Sequence, residues 1–221
     1  MRKKGSFLIA TGLLLLAAAL LLTAYNIWDA HRAERASQSA LSLLRTQIPG
    51  MEAQAAPRAL PASAPAAAPA PALADKSTEP GETEPDALGE KQMPTVEING
   101  YRYIGVLDVP ALELSLPVME QWDYDRLKVA PCRFSGSVYQ DDLVICAHNY
   151  PTHFSPLKYV PIGTQVKFTD ADGNEYLYTV TSIDTVGAND VETMVTGEWD
   201  LTLFTCNTGG QNRCAVRCDR L

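Results

Sequence analysis

Residues 7–24, FLIATGLLLLAAALLLTA, hold no charged side chain, and only Thr11, Gly12 and Thr23 interrupt the apolar run. Roughly 20 apolar residues cross a bilayer as a helix, so this stretch is long enough to span one. Tyr25 and Trp28 follow at the position where aromatic rings favour the membrane–water boundary. Arg2, Lys3 and Lys4 precede the run and predict a cytoplasmic N-terminus. The rival reading is a cleaved signal peptide. Its apolar region is about 7–15 residues long and ends in a small-residue pair, whereas here Leu22 and Ala24 make no A-x-A site. The run reads as an uncleaved, single-pass plasma-membrane anchor (residues 1–28 with its tip). On either reading the remainder is exported.

Residues 29–48 are rich in Ala, Leu, Arg and Gln and predict a juxtamembrane helix, stopped by Pro49-Gly50. Residues 49–92 begin in an Ala/Pro tract and become acidic, with Glu79, Glu82, Glu84, Asp86 and Glu90. They lack the large apolar side chains that offset ordering entropy, so they read as a disordered, semi-rigid stalk. At roughly 3 Å per extended residue, such a stalk would hold a head tens of ångströms from the membrane.

From 93 to 221 the pattern changes to short alternating runs rich in Val, Ile, Leu and Tyr. Asp172-Gly173-Asn174, between TQVKFTDA and EYLYTVTSI, predicts a hairpin. Trp122–Ala130 and Ser155–Tyr159 are the helix candidates. The head therefore reads as mainly β, a small barrel or sandwich. The net charge of −8 gives no electrostatic case for nucleic acid.

Five cysteines leave at least one thiol without an intramolecular partner, and their spacing fits no zinc pattern. Cys214 and Cys218 share a strand face about 13 Å apart, too far to bridge each other. No metal or cofactor is implied. Cys206 ends the run LTLFT, just before Asn207-Thr208-Gly209-Gly210, where a side chain can point into a cleft. On the final run Arg213, Ala215 and Arg217 share one face, and Cys214, Val216 and Cys218 the other. If 201–206 pairs with 213–218, an arginine approaches the thiol. A cation there lowers a thiol pKa or holds an oxyanion, although solvated surface charge is the plainer reading of both arginines. Of the three histidines, His31 lies in the juxtamembrane helix without a plausible partner. His148 and His153 follow an apolar run and a turn. Cysteine, histidine and arginine together are the parts for acyl transfer through a thioester.

Order and context make these residues specific. Thr202-Leu203-Phe204-Thr205-Cys206 matches the Thr-Leu-x-Thr-Cys element of the sortase family of Gram-positive cell-surface transpeptidases. Ala147-His148-Asn149 resembles that family's Gly-His-Asn or Gly-His-Ser, with Ala in place of Gly. Arg213-Cys214-Ala215-Val216-Arg217 resembles its final-strand arginine pattern. The resemblance covers roughly 95–221. It implies an eight-stranded β-barrel with short helices. By the same likeness Cys206 is the nucleophile, His148 the acid/base and Arg213 the oxyanion partner, with Thr205, Asn149 and Ala147 against the substrate. The implied substrate is a Leu-Pro-x-Thr-Gly-type sorting signal in a secreted protein. The implied acceptor is a peptidoglycan-precursor or pilin amine. Residues 185–199 become the loop before the catalytic strand, where Asp190 and Glu192 are either specificity residues or solvated charges.

No Asp-Pro-aromatic lid precedes the head and no apolar span follows it, an expectation against a typical pilin-polymerising member. Two rivals stand. Another exported cysteine hydrolase of the cell wall would carry Cys before His, or a Ser-His-Gly-Cys-like cluster, and neither is present. A non-enzymatic anchored β-domain, acting as a binding module, predicts that Cys206, His148 and Arg213 are dispersed.

Overall fold

Period-two alternation decides which side of each strand of the head is buried. The computed structural model describes residues 2–51, 91–207 and 210–221, with side chains from Thr11 onward. Helix α1 (Arg2–Gln47) is followed by β1 (Val96–Ile98), β2 (Tyr101–Val109), β3 (Leu114–Met119), helix α2 (Tyr124–Leu127), β4 (Cys132–Ser135) and β5 (Leu143–Ala147). Then come β6 (Gln165–Asp170), β7 (Glu175–Gly187), helix α3 (Glu192–Val195), β8 (Leu201–Cys206) and β9 (Asn212–Arg220). The strand order is β1-β2-β3-β4-β5-β8-β9-β7-β6, and β6 pairs back onto β2. That last pairing closes β2 to β9 into an eight-stranded mixed barrel, with β1 as an added edge ribbon. The barrel agrees with the fold that the motifs imply.

The interior is filled by one face of each strand. Leu201 and Leu203 of β8 and Cys214, Val216 and Cys218 of β9 point inward, with Ile145, Phe168 and Tyr178. Closure depends on Gly105, where β2 is bulged. A Cβ there would lie 2.0 Å from the carbonyl oxygen of Thr169 on β6, so only glycine lets the two strands meet. The expected hairpin joins β6 to β7. Asp170 organises its turn, accepting from the amides of Asp172 and Asn174 and from the side chains of Asn174 and Tyr176. Trp122–Ala130 contracts to the single turn of α2, capped by Asp123. Ser155–Tyr159 is a 3-10 turn. Residues 185–187, expected in a loop, extend β7 because Thr185, Val186 and Gly187 all pair with β9.

Helix α1 carries an unforeseen role. Ala33, Ser37, Ala40, Leu41, Leu44 and Ile48 are all nearly inaccessible. Their spacing is one helical stripe. It packs on the outer face of the barrel with Ile98, Tyr103, Val106 and Met119. Arg45 adds a hydrogen bond of 3.0 Å to the Ser115 hydroxyl. The end of the helix also meets the far hairpin, where a Cβ on Gly173 would sit 2.4 Å from the Pro49 carbonyl. The helix that contains the apolar run therefore continues directly into the head's second core. Residues 52–90, most of the expected stalk, lie outside the described residues, but Met51 before them and Met93 after them are both buried against the head.

Candidate active site

Three strand ends converge on the outer face of the barrel. β5 and β8 run parallel, with Ala147 opposite Thr205. The Thr205 hydroxyl donates to the Ala147 carbonyl at 2.9 Å and clamps the two ends together. One step further along the chain, His148 follows β5 and Cys206 completes β8. On the other side of β8, β9 is antiparallel and sets Arg213 directly opposite Cys206. Adjacent strands lie about 4.8 Å apart, so histidine, thiol and guanidinium stand in that order across three neighbours. The predicted pairing of 201–206 with 213–218 is the observed register. Arg213 donates to the Gly210 carbonyl at 3.0 Å, which ties its guanidinium to the turn.

His148, Cys206 and Arg213 line one cleft of about 260 Å³, with Ala147 and Thr205. Its wall is aromatic. Trp122 packs on Phe134 (centroids 5.3 Å apart), and Phe134 meets Phe204 edge-on at 5.2 Å. Met194 of α3, with Val191 and Asp190 just before that helix, lines the same cleft. Asn149 lies elsewhere. Its side-chain oxygen accepts from Lys158 at 2.6 Å, and it borders a shallow depression against α1. Glu192 is exposed in the first turn of α3. His31 is paired with Glu34 along the exposed side of α1.

The cysteines separate by environment. Cys132, Cys146, Cys214 and Cys218 are buried free thiols, and Cys206 is a half-buried one. Burial pushes Cys146 and Cys218 up to about 12, and Cys132 and Cys214 upward too, so these four stay protonated and inert. Burial holds the His148 imidazole below its ordinary value; the Asp29 carboxylate opposes that shift and Lys128 adds to it. The two arginines of β9 have different fates. Arg217 is fully buried. It donates to Asp184, to the Thr202 hydroxyl and to the Thr193 carbonyl, and Trp199 covers it at 4.3 Å. It is thus a staple that holds α3, and with it one rim of the cleft, on the barrel.

The sequence reading missed Trp122, Phe134 and Met194. Phe204 was detectable, since it shares the strand face of Cys206 two residues on. For the other three, long-range packing alone places them. Among the described residues, no cluster of His, Cys, Asp and Glu is arranged to hold a metal.

A half-buried thiol beside an imidazole, with a guanidinium opposite, is a set of groups suited to acyl transfer through a thioester. The sortase domain model matches residues 107–221, more than half of the chain, and the chain belongs to the sortase family. Among solved structures, the chain is similar to sortase C from Clostridium perfringens SM101 (20% identity, TM-score 0.45, 54% of this chain and 70% of that one). It is also similar to sortase A from Corynebacterium diphtheriae (22%, 0.48, 55% and 61%). A third similarity is to sortase C of Streptococcus pneumoniae (26%, 0.48, 54% and 66%). The chain thus spans between 61% and 70% of the length of these three. No curated protein matches.

Proposed function

We propose that the chain is a membrane-anchored transpeptidase that cleaves a Leu-Pro-x-Thr-Gly-type signal in an exported protein and joins the acyl fragment to a cell-wall or pilin amine. The observation that carries this reading is the shared cleft at the ends of β5, β8 and β9. The Cys206 thiolate attacks the threonine carbonyl carbon, and Arg213 donates to the oxyanion that forms. The His148 imidazolium gives its proton to the departing glycine amine as the C–N bond breaks, leaving a thioester on Cys206. An incoming amine then attacks the thioester and His148 takes its proton. The C–S bond breaks and the thiolate returns. Thr205 and Ala147 form the floor under the scissile bond. The wall of Trp122, Phe134 and Phe204 takes the signal's leucine. The apolar run of α1 is the anchor, with the head outside the membrane.

The full chain in lipid nanodiscs, given a panel of quenched signal peptides and an amine, tests this. A peptide–amine product and an acyl adduct on the intact protein are expected. Cys206→Ala should abolish both, and His148→Ala and Arg213→Ala should each lower kcat/KM by about 10²–10³. Cleavage that survives Cys206→Ala, or an inert wild type across the panel, overturns the assignment.

A further inference from the structure

Helix α1 and the turn after β5 touch at a point that thioester chemistry alone does not require. The Tyr150 hydroxyl donates to Asp29 of α1 at 2.6 Å. The same ring lies 5.0 Å from the His148 ring, tilted by 44°, and 5.4 Å from His153, edge-on. Asp29, Tyr150 and His148 therefore form one contiguous chain from the membrane-proximal helix to the cleft.

We infer that Asp29 and Tyr150 are positioning residues for His148, so that the anchor helix is a working part of the active site as well as its tether. This rests on the reading of His148 as the acid/base group. Among the described residues no hydrogen bond reaches the His148 ring, so its orientation depends on what it packs against. Its ring neighbour is Tyr150, and the far end of Tyr150 is fixed by Asp29. A phenol held at both ends is a rigid wall; released at one end it can turn, and small misplacements of a catalytic group lower the rate steeply.

Charge adds to the geometry. The titratable groups around His148 are Asp29 from α1, Lys128 from the end of α2, Tyr150 and His153 from the same turn, Cys206 and Arg213 from the β8–β9 hairpin, and Asp190 from the segment before α3, which lines the same cleft. Asp29 is the carboxylate whose charge acts on the His148 ring, and it opposes the loss of imidazolium that burial and Lys128 impose. Burial and Asp29 both push the Tyr150 phenol up, so it stays a donor throughout the working range.

The test uses the full chain in nanodiscs. Tyr150→Ala should lower kcat about tenfold with KM within twofold, and Tyr150→Phe, which keeps the ring, should lose less. Asp29→Asn should move the high-pH limb of kcat, where imidazolium is lost, to lower pH, and Asp29→Glu should restore it. Unfolding midpoints are measured for every variant. Titration of the ¹⁵N-labelled His148 ring by NMR reads the same effect without turnover, so it decides the inference even if no peptide is cleaved, an outcome that would sink the transpeptidase reading alone. A His148 titration unmoved by Asp29→Asn overturns the inference. So do rate losses that merely follow the unfolding midpoints.

Discussion

At the residue scale, burial separates groups that look equivalent in the sequence. Arg213 and Arg217 sit on one face of β9, four positions apart, and the alternation that places them there is legible from local pattern. The alternation does not show what lies over each position. Trp199 and the backbone of α3 cover Arg217, while the cleft leaves Arg213 reachable. His153 separates from His148 in the same way. It is fully buried, neither ring nitrogen has a hydrogen-bond partner among the described residues, and burial depresses its pKa from 6.5 to about 4. Below pH 6.5 the unfolded chain binds the proton that the folded one refuses, so stability is present above 6.5 and is lost as pH falls toward 4. The loss amounts to at most about 3 kcal/mol. Thermal unfolding from pH 7 to 4 should show a falling midpoint, and His153→Leu should flatten that fall. An equally steep fall in the variant would assign the acid sensitivity to other groups.

At the element scale, local and distant pairings differ in how far the sequence exposes them. The β6–β7 and β8–β9 hairpins are written in adjacent residues, with Gly173 and the Asn207–Asn212 turn as punctuation. The parallel pairing of β5 with β8 joins residues 58 apart and has no local signal; the family motif, and not periodicity, brings His148 to Cys206. The barrel seam is equally distant in sequence. Gly105→Ala places a methyl 2.0 Å from the Thr169 oxygen, where backbone has to move. We expect a destabilisation of about 3 kcal/mol by chemical denaturation. A variant as stable as the parent would show that the seam can open without cost. The stripe on α1 is a different case. The spacing 33, 37, 40, 44, 48 is plain in the sequence, yet small residues such as Ala33, Ser37 and Ala40 do not advertise a buried face. A helix that continues an apolar run also has no evident partner until the barrel supplies one.

For the whole molecule, the apolar run and the cleft are joined through the helix. Tyr150 reaches Asp29, and Asn149 and Pro151 border Thr23, Asn26 and Ile27, at the very end of the apolar run. Met51 and Met93, which flank the Ala/Pro tract in the sequence, are both buried against the head. Loop length enters stability only weakly, about 0.6 kcal/mol per doubling. Deleting residues 60–79 should therefore leave the unfolding midpoint and peptide turnover in nanodiscs nearly unchanged. A loss of activity toward membrane-bound substrates, with soluble-peptide activity retained, would instead make the tract the determinant of reach.

Between Leu13 and Gln47 the sequence has neither glycine nor proline, and α1 is one unbroken helix over that whole length. Kinks in helices have such residues, or inserted groups, as their causes. A span longer than its bilayer tilts, and a thinner bilayer tilts it more. With α1 as the anchor, that tilt is not absorbed at a joint below the head. The head leans with the span, and the thickness of the surrounding lipid sets the height and the angle at which the cleft faces its substrates.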